Sequence, residues 1–274
     1  MNILQALILG IVQGLTEYLP ISSSAHLVIV PYLLQWKIPE AQVFPFDVLV
    51  QLGTLLAVIV YFWQDLWSII RNFVSDVFRG QPFATYESRM GWFLILATIP
   101  AGVIGLLLKS KVEAAFNSAQ ETAIFLFVTA LLLFLAERFG RKQRDLKSLT
   151  WVDALWIGFF QAISIFPGIS RSGSTITGGM TRQLTRPAAA RFSFLMSVPV
   201  MLAAGLVSVL DLRHATGLGS FLPLILVGFI AAAVVGYLAI RWLLHYVINH
   251  SLYVFSLYCA ALGVIVLLVS YVRG

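Results

Sequence analysis

Polar residues interrupt this chain so as to leave six long apolar stretches, near 46–64, 91–109, 121–138, 189–210, 221–243 and 252–272. Each approaches the roughly 20 helical residues needed to cross a hydrocarbon core of about 30 Å. Two further apolar regions, 3–34 and 153–184, behave differently. The first breaks at LPISSSAH and the second at FPGISRSGST, and each half is too short to cross alone. Pro, Ser and Gly leave backbone groups unpaired, which at membrane depth is tolerated only where protein buries them or water reaches them. Both regions are therefore expected to be re-entrant helix-loop-helix hairpins, the alternative being one kinked spanning helix in each. The fold class that follows is an all-α polytopic membrane protein with six transmembrane helices and two re-entrant hairpins.

The two halves of the chain are alike. ALILGIVQGLTEYLPISSS from Ala6 matches ALWIGFFQAISIFPGISRS from Ala154, with Ala6, Gly10 and Gln13 opposite Ala154, Gly158 and Gln161. After one deletion Pro20 and Ser23 align with Pro167 and Ser170, and further on Phe46, Leu49 and Ala57 align with Phe192, Leu195 and Ala203. A single integral membrane domain, 1–274, is thus expected to contain two repeats, 1–140 and 150–274, each one hairpin plus three crossings. An odd number of crossings turns the second copy upside down. The hairpins then enter from opposite faces, and their Ser-rich tips meet near the midplane.

Charge fits this topology. Of the 18 Lys and Arg residues, six crossings put twelve on one face, among them Arg138, Arg141, Lys142, Arg144, Arg182 and Arg186. Five, including Lys37, Arg213 and Arg273, fall on the other, and Arg171 belongs to neither. The richer face is expected to be cytoplasmic, with both termini outside. The formal charge of +6 lies in short loops without a basic stripe or interleaved aromatics, which argues against a nucleic-acid partner. A hydrophobic content of 59% argues against a soluble domain. No Lys or Arg precedes Lys37, so the first apolar run is expected to stay rather than be cleaved. The lone Cys259 can form neither an intrachain disulfide nor a Cys-based zinc site. Trp63 and Trp67 are expected at the membrane interface, and Gly102, Gly105, Gly178 and Gly179 at close helix contacts.

Chemistry concentrates at the two breaks. Arg171 stands where a helix is expected to restart, beside Ser170, Ser172, Ser174 and Thr175. A Ser-Gly loop, a helix N-terminus and a guanidinium fork suit a phosphate group. The plainer alternative is an Arg171 that merely neutralises Glu17. In the first break Gln13 and Glu17, at i and i+4, share a helix face and precede Ser22, Ser23, Ser24 and His26. An intramembrane carboxylate is a functional candidate in itself, and an imidazole beside serines supplies the parts of an activated nucleophile. Asp47 and Gln51 either line the cavity or sit at headgroup level. His214 is expected in an external loop, His245 and His250 flank a cytoplasmic turn, and no HExxH spacing occurs.

QGLTEYLPISSSAH and PGISRSGST together resemble the bacterial undecaprenyl-diphosphate phosphatase family, also called the bacitracin-resistance protein family. Its first signature, Glu or Gln, three residues and Glu, is matched by Gln13 and Glu17; its second, Pro-Gly-x-Ser-Arg-Ser-x-x-Thr, runs from Pro167 to Thr175. The resemblance implies a hydrolase of the bacterial inner membrane that removes the terminal phosphate of undecaprenyl diphosphate. Its product is the monophosphate carrier lipid of cell-wall synthesis, and its activity confers bacitracin resistance. It further implies a homodimer among membrane lipids, a site opening outward, and dependence on a divalent cation, Mg2+ or Ca2+. Carried over on the matched motifs, the functional positions are Glu17, Ser23 and His26 with Ser170, Arg171 and Thr175. Ser22, Ser172 and Ser174 join them as phosphate contacts, and Gln13 supports Glu17.

Two departures are visible: Gln13 takes the uncharged option, and SSSAH replaces the more usual SSTGH. Glu17 is then the one carboxylate of the motif that could bind the cation, helped by the diphosphate itself. In the expected scheme Ser23 attacks, His26 is the base, and Glu17 orients it or holds the cation; in a rival scheme His26 is the nucleophile. The competing functional class is a lipid-phosphate flippase or secondary transporter, which opposed hairpins would also serve.

Overall fold

The computed structural model describes residues 1–115, 118–140, 142–212 and 218–273. Arg141, Arg213 and His214, assigned above to loops, lie outside the described residues. Within them the chain is helical, with α1 at Ile3–Tyr18, α2 at Ser23–Leu33, α3 at Glu40–Tyr61, α4 at Trp63–Phe78, α5 at Tyr86–Leu107 and α6 at Lys109–Ala115. The second half holds α7 at Ala119–Phe139, α8 at Trp151–Ile163, α9 at Arg171–Thr181, α10 at Arg186–Leu212, α11 at Leu218–Asn249 and α12 at Tyr253–Arg273. Among the described residues no β-strand forms beyond one isolated bridge between Arg144 and Leu184.

Five helices, α5, α7, α10, α11 and α12, are long and apolar enough to cross a membrane, and α3 with α4 makes a sixth candidate. The chain is accordingly a multi-pass membrane protein. The stretch expected to span 46–64 ends sooner, because α3 stops at Tyr61 and α4 departs at 78°. Helix α4 was not anticipated from the sequence. It buries Leu66 and Ile69 and exposes Trp63, Trp67, Ile70 and Val74 beside Gln64 and Arg71, so its outward side is mainly apolar with a polar margin. Trp63 and Trp67 are stacked, with ring centroids 6.4 Å apart. An aromatic, apolar outer face on a helix turned away from its span suits the headgroup boundary.

Both expected breaks are present. Helix α1 ends at Tyr18, where Leu19 is extended, as the residue before Pro20 must be. Helix α2 begins after Ser22, whose hydroxyl accepts the Ala25 amide hydrogen. Helix α8 ends at Ile163, and α9 starts after Ser170, whose hydroxyl caps Gly173 N–H. Each short pair packs on itself, α1 against α2 and α8 against α9.

The pairs also pack outward in matched fashion, α1 against α11 and α8 against α5. A Cβ on Gly10 would come within 2.4 Å of Gly228 O, and one on Gly158 within 2.6 Å of Ala97 O. Both contacts need a bare backbone. At one end of the bundle two buried carboxylates gather the loops. Glu137 accepts Arg186 Nε and Nη2 at 2.6 Å each, Lys142 Nζ at 2.5 Å and the Leu252 amide at 2.9 Å. Asp153 accepts Arg144 Nη2 at 2.7 Å, Arg182 Nε at 2.6 Å and both donors of Thr150. Several cations read above only as an orientation signal therefore also tie α7, α9 and α10 to the loops between them.

Candidate functional site

The two breaks meet. Helical spacing stacks Gln13 over Glu17 on a buried face of α1, and Gln13 Nε2 donates to Glu17 Oε2 at 2.9 Å. The same oxygen accepts Ser23 Oγ at 2.5 Å from across the break. Glu17 Oε1 accepts Arg171 Nη2 at 2.7 Å from the opposite half of the chain. Arg171 also lies over the Tyr18 ring at 5.6 Å, and Ser172 Oγ donates to Leu19 O at 3.0 Å. The ion pair weighed above as the plainer alternative exists, and both partners also line a cavity.

That cavity has a volume of about 490 Å³, within the range of small-molecule pockets. Its polar end holds Glu17, Ser22, Ser23 and Ser24 from the first break and Ser170 and Arg171 from the second. These serines and the arginine open α2 and α9, so two helix N-termini converge on it. Each contributes free backbone N–H groups and the positive end of a helix dipole. Its remaining wall is mainly apolar, with Ala101, Gly102, Gly105 and Leu106 from α5 facing Val200, Met201, Ala203 and Ala204 from α10. Gly102 and Gly105 do not serve close packing as expected: a Cβ on either would meet nothing within 4 Å. Gly178 and Gly179 do, a Cβ there meeting Phe160 at 3.0 Å and Ala189 at 2.8 Å.

Other expected site residues stand behind the cavity. Thr175 is fully buried in α9, donates to Arg171 O at 2.8 Å and shares a hydrogen bond of 2.6 Å with Ser193. Ser172 is held between the two breaks, and Ser174 is buried one turn further in. Thr175 and Ser172 brace the loop that Ser170 and Arg171 present, whereas the Ser174 hydroxyl is buried without a hydrogen-bond partner. His26 stands apart too. It lies one turn into α2, its Nδ1 meets Ser22 O at 2.7 Å, and its Nε2 meets Tyr258 Oη at 2.7 Å. A helical side chain covers the turn N-terminal to its own Cα, so the ring reaches the Ser22 carbonyl, while Ser23 Oγ turns to Glu17.

Sequence reasoning missed Thr129 of α7. Its hydroxyl donates to Gly168 O and accepts from Ser170 N, both at 2.8 Å, bridging the second break. Gly168 sits at φ +105°, where a side chain would be strained. A threonine in an apolar span gives no signal that it serves a loop almost 40 residues on. Gln161, aligned above with Gln13, lines the cavity and donates to Ala97 O at 3.4 Å. Gln51 lines the cavity and Asp47 does not feature in its wall, which divides that pair.

Among the described residues no three His, Cys, Asp or Glu side chains converge as a metal site. Among the described residues Glu17 is the one carboxylate at the cavity, and both its oxygens are engaged by Arg171, Gln13 and Ser23. The side chains present do not by themselves build a resident metal centre.

Comparison with known proteins follows the whole chain. The family model described as bacitracin resistance protein BacA matches residues 6–265. A Chlorobium phaeobacteroides protein named undecaprenyl-diphosphatase is 45% identical over 96% of this chain and 95% of its own length. Proteins of the same name from Methanosphaera stadtmanae and Myxococcus xanthus are 40% and 42% identical. The first alignment covers 99% of both chains, the second 97% of this chain and 89% of its relative.

Proposed function

This chain belongs to the bacitracin resistance protein family, and we propose that it is a membrane phosphatase that hydrolyses undecaprenyl diphosphate to undecaprenyl phosphate and inorganic phosphate. The observation that carries this reading is the convergence of two helix N-termini, Arg171 and Ser23 on one end of a cavity whose other wall is apolar. A lipid diphosphate has the same two ends. Donors at the polar end match a dianionic headgroup, and the slot between Gly102 and Gly105 of α5 and Ala203 and Ala204 of α10 accepts the first isoprene units. The rest of the tail lies among membrane lipids.

In this reaction Arg171, Ser170, Ser22 and the loop amides hold the terminal phosphoryl oxygens and stabilise their charge as the bond to the bridging oxygen breaks. Ser23 Oγ attacks the terminal phosphorus, and its proton passes to Glu17 Oε2, with which it shares a 2.5 Å hydrogen bond. Prenyl monophosphate leaves with the bridging oxygen. Water then cleaves the phosphoserine, releasing inorganic phosphate and restoring the hydroxyl. Glu17 takes the base role first expected of His26, because both imidazole nitrogens have other partners. A Mg2+ or Ca2+ would be held chiefly by the diphosphate oxygens, since both Glu17 oxygens are already engaged, and would supply charge neutralisation there.

The same proposal includes two inverted repeats with re-entrant hairpins, supported by the matched α1–α11 and α8–α5 packing and by the meeting of the breaks. It places the chain in the bacterial inner membrane as a homodimer, both termini and the cavity mouth on the outer side. Phosphate release by purified protein in detergent, over a panel of lipid diphosphates and monophosphates with and without divalent ions, tests it. Release from diphosphates without a second compartment supports the enzyme. Substrate exchange across sealed bilayers with no release would instead identify a carrier.

A further inference from the structure

Tyr258 stands on α12, far from both sequence signatures, yet its phenol oxygen lies 2.7 Å from His26 Nε2. The two rings are parallel to within 6°, with centroids 5.7 Å apart. On the other side of the imidazole, Nδ1 is 2.7 Å from Ser22 O. A carbonyl oxygen can only accept, so Nδ1 carries the hydrogen. The neutral ring then presents a lone pair at Nε2, and the tyrosine hydroxyl donates to it. Partner chemistry on both sides thus selects one tautomer and one ring orientation.

What that ring holds is the start of α2. Ser22 has φ +70° and ψ +96°, a conformation a serine adopts only when its surroundings enforce it. Its carbonyl receives the His26 side chain and also the His26 amide at 3.3 Å. The next residue is Ser23, whose hydroxyl must point at Glu17 for the proton to move. Immediately after Tyr258, Cys259 Sγ lies 3.8 Å from Pro20 O, so α12 touches the first break at two successive residues.

We propose that Tyr258 is a positioning residue for phosphoryl transfer, acting through His26 to keep the Ser22 carbonyl in place and Ser23 Oγ on Glu17. This rests on the phosphatase reading above. Tyr258 does not line the cavity and contacts no reacting group, so its removal should affect the geometry of attack and leave the α9 cradle intact.

Tyr258→Phe keeps the ring and deletes the hydroxyl. It should lower kcat about tenfold or more while KM for a prenyl diphosphate stays within about twofold. In the His26→Ala background the same change should cost nothing further, since the path runs through the imidazole. Nitrogen NMR of labelled histidine should find His26 in the Nδ1–H form in the wild type, and in Tyr258→Phe the Nε2 resonance should move toward that of a lone pair without a hydrogen-bond donor. Wild-type kcat in Tyr258→Phe, a full additional loss in the His26→Ala background, or a wild-type His26 protonated at Nε2 alone would overturn the assignment. The NMR measurement needs no turnover. A wild type that released no phosphate from any prenyl diphosphate would count against the phosphatase, while the tautomer would still decide the clamp.

Discussion

Glu17 holds Gln13, Ser23 and Arg171 at once, and most of the proposed chemistry passes through it. Glu17→Gln conserves its shape but removes the base and leaves the guanidinium without its counter-charge. Phosphate release should fall by roughly 10²- to 10⁴-fold, as expected for a lost general base. Ser23→Ala should cost roughly 10³-fold or more in kcat and abolish any acid-stable phosphoserine trapped by rapid quenching. Activity near wild type in Ser23→Ala would redirect attention to a direct attack by water. Most residues that line the polar end could be read in advance, because a carboxylate and a guanidinium in apolar sequence need a shared reason to be there. The contacts of His26 could not. Which way an imidazole turns on a helix depends on the partner across the bundle, and Tyr258 is 232 residues away.

Between helices, packing at glycine separates two uses that look identical in sequence. Gly10 and Gly158 let backbones touch, whereas Gly102 and Gly105 line the cavity and leave room in it. Gly102→Leu should fill that space and raise KM about tenfold for a long-chain prenyl diphosphate. A diphosphate bearing a single isoprene unit should be hydrolysed as by the wild type. Equal losses on both substrates would place the tail elsewhere. The spans and the two breaks were readable, since length, hydropathy and Pro-Ser-Gly clusters set them directly. Helix α4 escaped notice because its apolar residues continue those of α3, and only the 78° bend at Phe62 separates them.

For the molecule as a whole, stability and catalysis draw on different charges. Glu137 and Asp153 gather four cations at one end of the bundle, remote in sequence from the first break. Glu137→Ala strands Arg186 and Lys142, whose side chains keep about a fifth of their exposure. Their partial hydration reduces the usual penalty to about 2 kcal/mol. Thermal unfolding in detergent should register a lower midpoint, with turnover at low temperature unchanged. Whether two chain breaks, 147 residues apart from Pro20 to Pro167, form one phosphoryl-transfer pocket around Arg171 is tested by phosphate release from undecaprenyl diphosphate by the purified wild type and Arg171→Lys. Brisk release by the wild type is expected, with a loss of roughly 10²-fold in kcat for a lysine, which cannot reproduce the guanidinium fork. Equal rates for the two proteins, or no release by either, would contradict it.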